Sequence, residues 1–323
     1  MAGEYGTAQD LVIKSPVLVV GIGGAGSRIA KQASAAIGCE CLLVSNDKRD
    51  LGDGRSIFVN TGAWVNPSGP KLRSFLGAKS DQVKSTLEGY NTIIVVSNLA
   101  GKSGAAMAPL ICNTARQSAT VISFAIMPFG FEKDRIFNAG VSLRRVRETS
   151  HATVVMDNDA FLDNNPELSK EGCYPLTNSA IVEVASSIAS KGVEPDMNIL
   201  CTSKPQKDSE KSLRDSVSML YQDVADTAAI QRTVVYVMGG ESLPLGALNQ
   251  LVNNARGVFK EEGTTEVSMS TTAGDGVRVH LVASAPQKTR FDAYDPLGMI
   301  ADELDWDEPD SAPEFELAIP VLE

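Results

Sequence analysis

The sequence predicts an α/β protein: a parallel-sheet domain, a long helix, then a smaller α+β unit. Three observations carry this. From residue 16 to about 160, short Val- and Ile-rich runs alternate with helical segments, the pattern of right-handed crossovers in a parallel sheet covered on both faces. The first run, "SPVLVVGIGGAGSRIA", passes through glycines directly into a small-residue helix. After a helical stretch at 178–191, the pattern restarts as strand, helix and two further strands.

The elements follow in order. "SPVLVVGIGGAGSRIAKQASAAIG" reads as strand, glycine turn and helix, and "CECLLVSND" as a second strand with a polar end. "GRSIFVNTG" is a short third strand, and "PKLRSFLGAKSDQVKSTLEG" is mostly helical. "NTIIVVSNLAG" is a buried strand, "APLICNTARQS" a helix and "ATVISFAIMPF" another strand. "FNAGVSLRRVRETS" adds a helix and "ATVVMDND" a strand end. In "NSAIVEVASSIASK", Ile181, Val184, Ala185 and Ile188 recur at helical spacing, with Asn178 placed as N-cap. "RTVVYVMGG" and "PLGALNQLVNNARGVFK" are strand and helix, and "TEVSMSTTAGDGVRVHLVASA" reads as a hairpin turning at "AGDG". The divisions are an extension at 1–15, a first domain at 16–177, a helix and loop at 178–198, a second domain at 199–286 and a tail at 287–323.

Composition narrows the class. The 323 residues are 43% hydrophobic and 21% charged, ordinary for a globular protein. No apolar run reaches the roughly 18–20 residues of a membrane span, and no secretory signal opens the chain. Five cysteines without a C-x-x-C read as reduced thiols in a cytoplasmic protein. The net charge of −11 resides in the tail: residues 291–323 hold eleven acids and no base, and the remainder has 29 of each sign. No basic patch suggests nucleic acid. The tail reads as acidic and disordered.

Two loops after strands carry the functional signal. In "SNLAGKSGAAMAP" the "GKS" imitates a P-loop, but the first glycine that motif requires falls on Val96, inside a strand. "GIGGAGSRIA" satisfies G-x-G-x-x-G with Gly21, Gly23 and Gly26. It offers close backbone approach and a helix N-terminus to a phosphate. Asp47 ends the next strand at the place of a ribose-binding acid in NAD enzymes, so an NAD-linked oxidoreductase is one reading. A tight turn without ligand is another. Two separate small-residue loops, each opening a helix, suit a polyphosphate gripped from two sides.

The strand ends, taken in series, resemble the tubulin/FtsZ superfamily, and FtsZ more than tubulin. "VVGIGGAGS" is similar to the first phosphate loop of FtsZ, and "VSNDKRDL" to its "VNTDAQAL". "NPSG" before "LEGYNTIIVV" matches "NPEVG … LEGAD", "PFGFEKDR" resembles "PFNFEGKKR", and "MDND" resembles "IPNDKL". The likeness runs from about Pro16 to about Ala285. It implies the tubulin/FtsZ fold, GTP or GDP as ligand with Mg2+ beside it, and head-to-tail stacking in which the loop after the central helix completes a neighbour's site. It implies that Gly21, Gly23, Gly24 and Gly26 approach the phosphates and that Glu132 and Arg135 meet the ribose and phosphate region. Asn158 and Asn178 would read guanine, and Tyr174 would stack on it.

Two departures qualify this. Where the family has "GGGTGTG", the chain has Ala100, Gly101, Lys102, Ser103, Gly104, Ala105 and Ala106. Added Cβ atoms block backbone approach, while Lys102 offers a cation to the β- or γ-phosphate, or points into solvent. Gly101, Ser103 and Gly104 keep part of the cradle. Where the family has "NVDFAD", the chain has "EPDMNI": Asp196 keeps the first acid, Glu194 replaces the asparagine and Ile199 the second acid. Asp196 is either the remaining water-orienting carboxylate or a turn residue. The implied function is that of a filament-forming protein of cell division or cell shape, with weak or lost hydrolysis. Partners would be the chain itself, a conventional FtsZ homologue and, through "FELAIPVLE", a membrane adaptor; a disordered tail with no partner is the alternative reading of that segment.

Overall fold

A computed structural model describes residues 11–62, 64, 66–224, 230–239, 243–258, 264–269, 276–285 and 289–295. Ten strands form one sheet. They are β1 (Val17–Ile22), β2 (Glu40–Ser45), β3 (Ser56–Phe58), β4 (Thr92–Asn98), β5 (Thr120–Met127), β6 (Ala152–Asp157), β7 (Ile199–Thr202), β8 (Arg232–Met238), β9 (Thr264–Met269) and β10 (Arg278–Ser284). The order is β3-β2-β1-β4-β5-β6-β7-β10-β8-β9. From β3 to β7 every pairing is parallel. β1, β4 and β5 are buried almost throughout, as strands covered on both faces must be.

Nine described helices flank the sheet: α1 (Gly23–Ile37), α2 (Gly69–Gly77), α3 (Ser80–Leu87), α4 (Lys102–Arg116), α5 (Lys133–Thr149), α6 (Asn158–Asp163), α7 (Lys170–Lys191), α8 (Ser209–Asp223) and α9 (Leu245–Val258). α1 packs on α7, and α4 packs on α2, α3 and α5. Pro109 lies inside α4 and cannot donate to the Ala105 carbonyl. Ser142 Oγ of α5 donates to that oxygen instead (2.9 Å), so the helix continues and is pinned to its neighbour.

The structure departs from the sequence reading in four places. The long helix begins at Lys170, not 178. Ser169 caps it, its side chain accepting from the Gly172 N–H (3.1 Å), so Asn178 is interior. Pro175 sits in the second turn, where the freed Glu171 carbonyl belongs to an exposed residue. Second, β9 and β10 are not a hairpin: both flank β8, β9 in parallel and β10 antiparallel. Third, β7 and α8 are additional elements. Through β7 the second unit continues the main sheet, meeting β6 only at Val155–Ile199 and Met156–Leu200. Fourth, the segment expected to begin the tail is packed. Arg290–Tyr294 forms a 3-10 turn on α5 with Phe291 fully buried. The rest of the tail, 296–323, and "TTAGD" at 271–275 lie outside the described residues.

Candidate nucleotide site

The carboxyl ends of β1, β2, β4, β5 and β6 converge on one edge of the sheet. Gly23 starts α1 with φ of +68°, a conformation side chains rarely adopt. A Cβ there would lie 3.2 Å from the Ser103 Cβ, so the α1 and α4 N-termini touch at this residue. Gly26 backs directly onto the Val96 carbonyl, and Gly104 onto the Asn98 carbonyl. Gly21 packs against Ala30 and Gly26. These three are glycines because helix and strand leave no room for more.

The α4 loop is braced from its own chain. Asn98 Oδ1 accepts from the Ala100 N–H (2.9 Å) and its carbonyl from the Gly101 N–H (3.1 Å). Ser103 Oγ donates to Asn46 Oδ1 at the end of β2 (2.5 Å), and Lys102 Nζ donates to Asn66 Oδ1 (2.9 Å). Lys102 is the first residue of α4, the end where a cation opposes the helix dipole unless an anion accompanies it. On its outer flank lies a cleft of about 950 Å³, lined by Asn66, Arg73, Lys102, Asp134 and Arg135 among others.

Asp50 is a site residue that sequence reasoning missed. Its Oδ2 accepts from Ser45 Oγ (2.6 Å), and its Oδ1 lies 2.8 Å from where a Gly24 Cβ would be. A carboxylate therefore faces the first turn of α1. Nearby, the buried hydroxyls of Ser27 and Ser97 have no hydrogen-bond partner among the described residues.

The other end of the site gathers Glu132, Lys170, Phe129, Phe131, Tyr174 and Asn158. Glu132 Oε1 accepts from Lys170 Nζ (2.6 Å) and Arg135 Nη1 (3.1 Å). That bond to Glu132 raises the Lys170 pKa. The ammonium also lies 5.5–5.8 Å from the ring centres of Phe129, Phe131 and Tyr174, within cation–π range. Phe129 stacks on Phe131 (5.2 Å) and meets Tyr174 edge-on (5.7 Å). Lys170, Tyr174 and Asn178 are spaced by four on α7 and so share a face. Asn158 is buried. Its Nδ2 donates to the Met127 carbonyl (3.1 Å), and its Oδ1 has no partner among the described residues. Lys170 escaped notice because the helix that carries it was expected to begin later.

Asp196 lies elsewhere. It is exposed, accepts from Ser284 Oγ (2.6 Å) and lines a cleft of about 360 Å³ with Ser150, His151, Thr153 and Gln231. These neighbours stand at the amino end of β6, whereas Asn158 follows its carboxyl end. Six strand residues separate the two by about 20 Å. Glu194 is buried and paired with Arg232, and Ile199 is buried within β7.

The oxidoreductase reading finds no support in this geometry. Asp47 is held by Arg49 through Nε, Nη2 and the backbone N–H (2.6–3.0 Å), which lowers its pKa to about 2. His280 is buried between Thr202 and Glu183, and His151 Nδ1 accepts from the Val121 N–H (2.9 Å). Neither histidine faces the glycine loop.

Comparison with known proteins agrees with this arrangement. Residues 60–166 match the family described as "Tubulin/FtsZ family, GTPase domain". The chain is 27% identical over 199 residues to cell division protein FtsZ 1 of Pyrococcus horikoshii, covering 57% of this chain and 53% of that protein. It is 24% identical over 257 residues to FtsZ 2 of Halobacterium salinarum, covering 74% and 58%. It thus spans little more than half the length of the curated relatives it matches. The fold superposes on an FtsZ dimer of M. jannaschii with TM-score 0.69 at 20% identity, covering 85% and 89% of the two chains. A GTPγS-bound protofilament of CetZ2 from Haloferax volcanii gives 0.63 at 19% identity, covering 86% and 96%.

Proposed function

We propose that the chain is a divergent, FtsZ-like member of the tubulin/FtsZ superfamily, and that it binds GTP or GDP at the carboxyl edge of the sheet and assembles head to tail. The observation that carries the reading is the meeting of two helix N-termini at Gly23 and Ser103. Free N–H groups from both helices and their positive dipole ends suit a polyphosphate. In this reading the amides around Gly23, Gly24, Ser103 and Gly104 face phosphate, Gly101 holds the loop through its N–H on the Asn98 carbonyl, and Lys102 exchanges Asn66 for a phosphate oxygen. Gly21 and Gly26 hold the strand–helix spacing that brings the loop in. Glu132 and Arg135 serve the ribose, Tyr174 the base face, and Asn158 and Asn178 the guanine edge. Asn158 Oδ1, which has no partner among the described residues, is the acceptor this reading offers to guanine.

A phosphate placed near Gly24 meets the Asp50 carboxylate and is repelled unless a cation lies between them. The oxygen atoms of Asp50 and Asn46 suit Mg2+, which favours hard oxygen donors. Bound there, the ion would neutralise phosphate charge.

The position of Asp196 supports head-to-tail assembly: the length of β6, about 20 Å, lies between it and the carboxyl edge of its own sheet, so in this reading the nucleotide it meets is a neighbour's. With Ile199 in place of a second carboxylate, water activation there is weak. A non-hydrolysing structural homologue is the second reading, favoured by that buried isoleucine and by the hydrogen bond that engages Asp196. Guanine-nucleotide titration followed by sedimentation with and without GTP tests both. Binding with GTP-dependent pelleting supports the proposal; pelleting that ignores nucleotide supports the second reading. Cell division or cell shape is the setting this function fits.

A further inference from the structure

Helix α5 carries a strip of which one half is covered. Lys133, Phe137, Gly140, Arg144 and Arg147 follow one another at steps of four and three, so they share one face of the helix. The segment Thr289–Asp295 lies on the C-terminal half of that strip. Arg147 pairs with Asp292 and lies 5.5 Å from the centre of the Phe291 ring. Arg144 Nε pairs with Asp295 Oδ2 (3.2 Å). At Gly140 the backbone of Tyr294 and Asp295 comes so close that a Cβ would not fit. The chain thus advances from Arg147 to Gly140, towards the N-terminus of α5.

The N-terminal half of the strip is open. Lys133 is exposed, Phe137 is 48% exposed, and Phe131, just before the helix, is 59% exposed. A single exposed apolar side chain is ordinary. Two phenylalanines in line with an occupied contact form a surface continuous with it. Arg135 and Ser142, which line the cleft beside Lys102, point to the other side of the helix.

The sequence that follows Asp295 matches this surface in order. "PLGMIA" at 296–301 supplies Leu297, Met299 and Ile300, and "DELDWDEPD" at 302–310 holds six acids and no base. The helix rises about 10 Å from Gly140 to Lys133, and five extended residues span about 16 Å. The apolar residues can therefore reach Phe137 and Phe131, and the first acids can reach Lys133.

We propose that residues 296–303 of this chain continue along α5 as a strap. Leu297, Met299 and Ile300 cover Phe137 and Phe131, and Asp302 and Glu303 meet Lys133. The pairs Asp292–Arg147 and Asp295–Arg144 already set the same acid-on-base pattern along the strip. A helix N-terminus favours negative charge, so dipole and lysine act together on these acids. Asp134 is the acid of that first turn and stands about 100° round the helix from Lys133. The strap moves the point where the remaining tail leaves the body from the middle of α5 to the carboxyl edge of the sheet. It needs no bound nucleotide.

The test is zero-length carbodiimide coupling of lysines to carboxylates in the full, nucleotide-free chain, with the coupled peptides mapped by mass spectrometry. The Lys204–Glu167 ion pair is the internal control. Lys133 should couple to Asp302, Glu303 or Asp305 roughly fivefold more than the exposed Lys31, Lys48 and Lys84 do, because docking raises its effective concentration. Phe137→Asp should remove that preference and leave the control unchanged. An even spread over these lysines, no coupling at Lys133 while the control couples, or a preference that survives Phe137→Asp overturns the proposal. If that variant does not fold, the preference in the unsubstituted chain decides. A mixture of isotope-labelled and unlabelled chains identifies the copy: coupling within one chain supports the strap, and coupling between chains assigns the strip to a second copy and overturns it. Because nucleotide is absent, failure here leaves the nucleotide reading untouched, and failure of that reading leaves the strap standing.

Discussion

The two edges of the sheet differ in how much chemistry they hold. The carboxyl edge joins five strand ends through Ser103–Asn46, Lys102–Asn66, Asp50–Ser45 and Lys170–Glu132. The amino edge offers Asp196, exposed and tied to Ser284, beside a strand that has absorbed Ile199 into its core. Residues at the first edge are tied to one another across separate loops, while Asp196 at the second is tied to one hydroxyl. Substitution at the packed glycines of the first edge should disturb the fold and the proposed ligand together. At the second, chemistry can be lost without loss of architecture.

Four substitutions probe that contrast, from the largest effect to the smallest. Gly104→Ala puts a methyl group into the Asn98 carbonyl. It should cost about 1–3 kcal/mol in thermal unfolding, as overpacking does, and abolish measurable guanine-nucleotide binding in calorimetry. Normal affinity in this variant would break the assignment of the α4 loop. Tyr174→Ala removes a stacking face worth about 1–3 kcal/mol. Its GTP affinity should fall by roughly tenfold or more, read by fluorescent-nucleotide displacement. Lys102→Ala should lower GTP affinity several-fold at low salt and less at high salt, with an unchanged melting temperature because the side chain is exposed. An affinity indifferent to this change would mean that Lys102 faces solvent.

Asp196→Asn should leave nucleotide affinity of the monomer within about twofold, since about 20 Å of sheet intervenes. Any phosphate release by assembled protein should fall at least tenfold, because an amide cannot take the proton from water. Weakened monomer binding would show that the two edges communicate, and unchanged turnover would move the chemistry elsewhere.

The parallel sheet and the glycine loop were legible because both depend on neighbours in sequence. A strand that runs into G-x-G-x-x-G must turn tightly whatever surrounds it. The start of α7 was not legible: Asn178 imitates a cap and Pro175 a stop, and only the Ser169 cap outweighs them. The false hairpin has a different cause. β9 pairs with β8 in parallel, a choice made by packing, whereas "AGDG" signals only that the chain can turn. Asp50 and Lys170 were missed because their meaning lies in partners, Ser45 beside the glycine loop for one and Glu132 with three rings for the other. Once α7 is extended to Lys170, spacing by four from Tyr174 makes that lysine visible.

The most direct test of the central claim is the nucleotide itself. Purified protein is denatured, released nucleotide is identified by chromatography, and GTP, GDP and ATP are then titrated into nucleotide-free protein. Guanine nucleotide in the released fraction, with GTP and GDP binding much more tightly than ATP, is the predicted result. No nucleotide and no binding, or equal affinity for ATP, would contradict it and leave the fold serving assembly alone.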